Sequence, residues 1–258
     1  RRVSSFAWAP NSQWIAYVAD QDVATNLRNL YATLPNTTNS NRLTPLIAGL
    51  DVTQDIAWST DSNLVGYLAD VVANGTIKLF TTAPFLGSPI NEVSGTLAAG
   101  NKVENFSWSP DGTRIAYRAD QDPTGGLELF TTAPAVVDDI RVSADLPAGQ
   151  SVGVFAWSPD SSRIAYLANQ NDPTTIELYS STPTGTTNDR VSGLLPSGRN
   201  VDEFKWEQAG LGIAYRANQD DILIKELYTS LPDGTDNTKV SGTFVPASGA
   251  VGEFDWVP

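Results

Sequence analysis

The chain has 258 residues, 41% of them hydrophobic, with 29 acidic against 16 basic side chains and a formal charge of -13. That balance repels a phosphate backbone, and the basic residues are scattered singly rather than gathered in a patch, which excludes nucleic acid as a partner. His, Cys and Met are absent. Disulfides, thiol or imidazole catalysis and thiolate or imidazole metal sites are therefore excluded, and any chemistry rests on carboxylates, hydroxyls, Lys and Arg.

Along the chain an aromatic pair recurs as Phe6/Trp8, Ile56/Trp58 (with Ile in place of the first ring), Phe106/Trp108, Phe155/Trp157, Phe204/Trp206 and Phe254/Trp256, with Trp spacings of 50, 50, 49, 49 and 50 residues. A period this regular defines a repeat architecture before any single residue is interpreted. In the third unit VENFSWSP reads as a first strand, and Asp111-Gly112 as a tight turn into RIAYRA at 114–119. The loop DQDPTGG leads to LELFTTA at 127–133, and a Pro- and Asp-rich turn leads to DIRVSADL at 139–146. The other second strands are WIAYVA, LVGYLA, RIAYLA and GIAYRA; the other third strands are LRNLYAT, IKLFTT, IELYSS and KELYTS. Apolar residues alternate and no 3.6-residue period persists, so the chain is all-β.

Four antiparallel strands repeated at nearly fifty residues predict a β-propeller of five four-stranded blades in one domain, 1–258. The repeat units are 6–55, 56–105, 106–154, 155–203 and 204–253, with an extra inner-strand sequence at 254–257. A portion of a six-bladed propeller is the alternative count. The recurring Trp, with Tyr17, Tyr67, Tyr117, Tyr166 and Tyr215, reads as core between blades, each buried hydroxyl needing a partner. Small residues separate the aromatic pair at Ala7, Ala57, Ser107 and Ala156. Lys205 and Asp255 break that rule and are expected near solvent, as is Trp14.

The run WSPDGTRIAYRADQD followed by LELF, and WSPDSSRIAYLANQN followed by IELY, resemble the TolB-type WD-like propeller repeats. The resemblance covers nearly the whole chain, although Trp206-Glu207-Gln208 and Trp58-Ser59-Thr60 depart from its Trp-Ser-Pro-Asp-Gly turn. It implies an exported or cell-envelope protein, periplasmic or extracellular, that serves as a protein-binding platform or as the accessory propeller of a serine peptidase. The missing initial Met fits upstream processing. No run of 18 apolar residues is present, so no transmembrane helix is expected.

Three chemical readings compete at the loops and strand starts. Asp20-Gln21-Asp22, Asp120-Gln121-Asp122, Asn169-Gln170-Asn171-Asp172 and Asn218-Gln219-Asp220-Asp221 offer oxygen ligands for calcium, yet Asp and Asn equally satisfy their own turns. Asp55, Glu104, Asp202, Glu203 and Glu253 precede inner strands, where paired carboxylates could act as a glycoside hydrolase on carbohydrate. With no His and no G-x-S-x-G elbow, a serine peptidase within these residues is disfavoured still further than the glycoside hydrolase. Arg118 with Glu128, and Arg216 with Glu226, read as cross-strand pairs. The resulting expectation is a noncatalytic propeller for protein association or self-assembly, with no assigned catalytic or cofactor residue.

Overall fold

The computed structural model describes residues 2–21, 27–45, 49–122, 125–242 and 250–256. Its twenty strands form five antiparallel sheets of four, each meandering in chain order, the composition of a five-bladed β-propeller. The first sheet holds β1 (Val3–Trp8), β2 (Ile15–Ala19), β3 (Asn29–Thr33) and β4 (Ser40–Arg42). The second holds β5 (Asp51–Trp58), β6 (Val65–Asp70), β7 (Ile77–Thr82) and β8 (Ile90–Glu92). The third holds β9 (Val103–Trp108), β10 (Ile115–Ala119), β11 (Glu128–Thr132) and β12 (Ile140–Arg141). The fourth holds β13 (Val152–Trp157), β14 (Ile164–Ala168), β15 (Glu177–Ser181) and β16 (Asn188–Arg190), and the fifth β17 (Val201–Trp206), β18 (Ile213–Ala217), β19 (Glu226–Ser230) and β20 (Thr238–Lys239).

The chain divides into two compact units, Arg1–Pro123 with Leu129–Ile140, and Thr124–Glu128 with Arg141–Pro258. In the first, Ala16, Val18 and Leu30 of one sheet share a core with Val52, Trp58 and Tyr67 of the next. A second core there joins Leu68 and Leu79 to Val103, Trp108 and Tyr117. In the second unit Ala165, Leu167 and Leu178 meet Val201, Ile213 and Tyr215. Period-2 alternation explains this: successive residues of a second strand face opposite neighbours, so both faces of a sheet are apolar and both are buried. Gly66 occupies the position held elsewhere by Ala because a Cβ there would lie 2.8 Å from the Phe106 ring.

Register repeats with the sequence. Phe106 pairs with Tyr117, Ser107 with Ala116 and Trp108 with Ile115, and Phe204, Lys205 and Trp206 pair likewise with Tyr215, Ala214 and Ile213. Each second-strand Tyr stacks on the facing third-strand ring, with centroids 5.3 to 5.6 Å apart. The indoles lock one sheet to the previous one: Trp58 and Trp108 donate to the carbonyls of Ala7 and Ala57, and Trp206 donates to that of Ala156. Trp8, in contrast, is 51% exposed where Trp108 is 7% exposed. Trp14 is half-buried rather than open, because its ring meets the edge of Phe85 at 5.5 Å.

Fourth strands are shorter than the sequence predicts: β12 covers two residues of the expected eight. The cause lies in the Val-Ser or Leu-Thr pair that follows them. The hydroxyl of Thr44, Ser94, Ser192 or Ser241 accepts the third-strand N–H of Leu30, Leu79, Leu178 or Leu227. A side chain thus takes the place of the ladder, and the strand stops.

Candidate functional site: turn tips, return loops and a docked terminal segment

The Trp-Ser-x-Asp turns are self-contained. Ser59 and Ser109 donate their hydroxyls to Asp61 and Asp111 at 2.6 Å, and Asn63 N–H and Thr113 N–H close the same carboxylates at 3.0 Å. The hydrogen bond from Ser59 holds the Asp61 carboxyl below its ordinary value. At Asp111 burial pushes upward, and the bonds from Ser109 and Thr113 outweigh it, so the net shift is also downward. The expected Asp111-Gly112 turn forms, with Gly112 at φ 72°.

The return loops are explained by their Gln. Gln21 Oε1, Gln170 Oε1 and Gln219 Oε1 accept from the second-strand hydroxyls of Tyr17, Tyr166 and Tyr215, and Gln121 Nε2 donates to Tyr117 Oη at 3.0 Å. Each Gln sits four residues after its Tyr, so the loop turns back over the ring it serves. Tyr67 is followed at that distance by Val71, which explains why the second unit lacks the motif. The Asp120 carboxyl is raised by burial and by the neighbouring charge of Asp122. Among the described residues no group of three or more acidic side chains is arranged to hold a metal; Asp22 lies outside them.

The expected pair Arg216–Glu226 does not form. Arg216 faces Leu227 across the ladder while Ala217 faces Glu226, so the two side chains point to opposite faces. Glu128, Glu177 and Glu226 are buried and instead meet Arg141 at 2.9 Å, Arg190 at 3.5 Å and Lys239 at 3.0 Å on the fourth strands. In the second sheet the pair is reversed, with Lys78 on the third strand and Glu92 on the fourth, 2.6 Å apart. Burial raises the Glu128 carboxyl, against the N–H of Leu146 and the charge of Arg141.

The inner-strand acids are largely engaged as well. Lys102 lies 3.1 Å from Glu104, Lys225 2.7 Å and Arg216 3.9 Å from Asp202, and Arg216 3.4 Å from Glu203. Asp55 accepts from Thr53 at 3.0 Å.

The terminal segment 251–256 lies on the fifth sheet where the next sheet's first strand would lie. Trp256 donates its indole N–H to Lys205 O at 3.2 Å, and Val251 N–H bonds Lys225 O at 2.8 Å, as Val201 N–H bonds Ile176 O. Lys205 and Asp255, the two exceptions to the small-residue rule, answer one another: their charges are 3.6 Å apart, and Lys205 Nζ also reaches Phe254 O at 2.6 Å. An open pocket of about 640 Å³ remains between Glu203, Arg216 and Glu253.

Sequence reasoning missed an apolar strip on the first unit. The β7–β8 turn exposes Phe85 and Leu86 (58% and 75%), and the β11–β12 turn exposes Val136 and Val137. The β11–β12 turn meets the second sheet where Thr81 of β7 donates its hydroxyl to Pro134 O at 2.5 Å, and Asn41 of β4 donates to Pro84 O of the β7–β8 turn at 3.2 Å. The only sequence signal was the composition of the turns, Pro-Phe-Leu-Gly and Pro-Ala-Val-Val, against the polar Thr-Pro-Thr-Gly and Leu-Pro-Asp-Gly of the last two sheets.

Fold and turns together define a β-propeller whose described carboxylates are largely engaged in structural contacts. No family model and no curated protein matches the sequence. Among solved structures the chain is similar to dipeptidyl peptidase 4 of Porphyromonas gingivalis, with a TM-score of 0.69 at 12% identity over 93% of this chain and 39% of that one. It is also similar to a TolB candidate of Agrobacterium tumefaciens (TM-score 0.52, 13% identity, 92% of this chain and 80% of that one). Oligogalacturonate lyase of Vibrio parahaemolyticus matches at a TM-score of 0.55 and 12% identity over 92% of this chain and 64% of that one. The chain therefore spans well under half of the dipeptidyl peptidase it resembles. Likenesses at these identities establish a shared propeller fold, which peptidases and a lyase both carry, and function has to be argued from sites.

Proposed function

We propose that this chain is a noncatalytic propeller of an exported or cell-envelope protein, acting in protein association or surface assembly. The observation that carries the reading is the exposure of Phe85, Leu86, Val136 and Val137 on turns of two neighbouring sheets of an otherwise acidic chain. Such exposure on a soluble surface commonly marks a contact site, and rigid sheets beneath it lower the ordering cost of binding. An accessory role beside a hydrolase domain is the second reading, favoured by the match to 39% of a dipeptidyl peptidase chain.

The test is binding of envelope or extracellular proteins to the immobilised chain, repeated with Phe85→Asp and Val136→Asp. Capture lost in both variants, with unchanged thermal unfolding, supports the reading. Capture indifferent to both, together with glycan hydrolysis abolished by Asp202→Asn or Glu203→Gln, would replace it with the carbohydrate-active alternative.

A further inference from the structure

We infer that a notch of about 350 Å³ between the fourth and fifth sheets is a binding site for a small uncharged molecule of one-ring size, which lays an apolar face on Leu167 and Ile176 and donates a hydroxyl hydrogen to Asp202. The inference does not rest on the association reading, whose exposed residues belong to the first unit, so either can fail alone.

The same place recurs from sheet to sheet, so the chain supplies its own comparison. Three residues set it: the one after the Val that pairs with the last Ala of the second strand, the one before that Ala, and the one before the third-strand partner of that Ala. In the first sheet these are Ser4, Val18 and Arg28. Arg28 fills the space there with its guanidinium on Asp51 at 2.9 and 2.6 Å, leaving about 180 Å³. In the fifth sheet they are Asp202, Arg216 and Lys225, with both cations turned to the carboxylate at 3.9 and 2.7 Å. In the third, Arg118 stands beside the charge of Glu104. The fourth sheet has Gly153, Leu167 and Ile176 instead. Every group that forms an ion pair in the other sheets is replaced by an apolar one or by none.

Nothing in the fold calls for glycine at 153. A Cβ there would meet Leu167 O at 3.5 Å, an ordinary contact, and the backbone is not left-handed. A strand glycine without a backbone reason marks a place kept clear for close approach. Around it, Leu167 and Ala168 form a buried wall, and Val154 and Ile176 are 60% and 40% exposed. Hydrogen bonds fix these walls in advance. Asn169 Oδ1 accepts from Ser151 N–H at 2.7 Å while its Nδ2 donates to Pro173 O at 3.0 Å, and Asn200 Oδ1 accepts from Ile176 N–H at 2.7 Å.

The lining selects the ligand. Its one charged side chain among the described residues is Asp202, and Lys225 already answers that charge, so an ion gains little. Asp202 Oδ2 lies 3.9 Å from Arg216 Nε, too far for a hydrogen bond, which leaves it to accept from a neutral hydroxyl. The volume lies at the lower end of small-molecule pockets, enough for a single ring. A sugar fits poorly, since no aromatic ring lines the notch and most of its hydroxyls would face aliphatic carbon.

The probe is p-cresol, titrated into the full chain with amide chemical shifts followed by NMR. Saturable shifts centred on residues 151–154, 167–169 and 174–176 are expected, with a dissociation constant in roughly the millimolar range or tighter. Toluene should bind about fivefold or more weakly, and Asp202→Ala should bring p-cresol down to the level of toluene. Gly153→Val fills the notch, and Ile176→Lys installs the residue of the fifth sheet at an exposed position that leaves folding intact. Each should weaken p-cresol about tenfold or more. No saturable shift at about 10 mM p-cresol overturns the inference, as does binding that survives both substitutions. Equal binding of toluene overturns the hydroxyl contact with Asp202, and tighter binding of p-hydroxybenzoate overturns the assignment of an uncharged ligand.

Discussion

The hydroxyl that ends the fourth strand in the first, second, fourth and fifth sheets is a residue-scale device with a measurable worth. Ser192 is buried and accepts Leu178 N–H at 3.2 Å, next to the Val191 N–H bond to Leu178 O at 2.8 Å. Ser192→Ala should cost about 1 kcal/mol of unfolding free energy, the usual range for a lost hydrogen bond in a buried site, measurable by urea titration. Asp111 gives a pH-dependent counterpart. Its lowered carboxyl contributes stability that is complete above the ordinary carboxylate range and is lost as pH falls through the lowered value. Asp111→Asn should thus be less stable by about 0.5–1 kcal/mol at neutral pH, and the gap should close on acidification. Glu128 has the opposite sign: raised by burial, it favours the fold below the ordinary range, and this contribution declines as pH rises through the raised value. The turn at Asp111 was legible from Asp-Gly alone. The partner of Glu226 was not, because choosing Lys239 over Arg216 requires the face on which each side chain points, and a one-residue change of register reverses it.

At the scale of the element, Trp58, Trp108 and Trp206 of the first strands fasten one sheet to another, and the six Trp of the repeat are not energetically alike. Trp108 is buried with its N–H bonded to Ala57 O at 3.1 Å, while Trp8 is half exposed. Trp108→Phe should lose about 2 kcal/mol, combining a lost hydrogen bond with a cavity, whereas Trp8→Phe should change stability by less than about 0.5 kcal/mol. Equal effects in thermal unfolding would contradict the assignment of the indole as a fastener. The sequence made the two residues look equivalent, since local pattern carries the strand but not what covers it. The return loops show the converse. Their Asp and Asn drew attention as possible calcium ligands, but the informative residue was the Gln between them, placed by i, i+4 spacing over a buried Tyr hydroxyl.

For the whole molecule, net charge is the long-range property. A charge of -13 repels itself in the compact state, and isolated surface pairs contribute little. Raising sodium chloride from about 10 mM to about 150 mM shortens the screening length from roughly 30 Å to roughly 8 Å and should raise the melting temperature. A fall would mean that ion pairs such as Arg141–Glu128 and Lys225–Asp202 outweigh the general repulsion. The sequence by itself determined the all-β class, the fifty-residue period, the four strands per unit and the aromatic register, because period-2 alternation and turn chemistry act within a few residues. Tertiary structure alone decided which charges meet, that Lys205 and Asp255 pair with each other, and that Phe85, Leu86, Val136 and Val137 stand exposed on turns of two neighbouring sheets. Those outcomes depend on residues 13 to about fifty positions apart meeting side by side, and on the face each side chain takes, which no local pattern fixes.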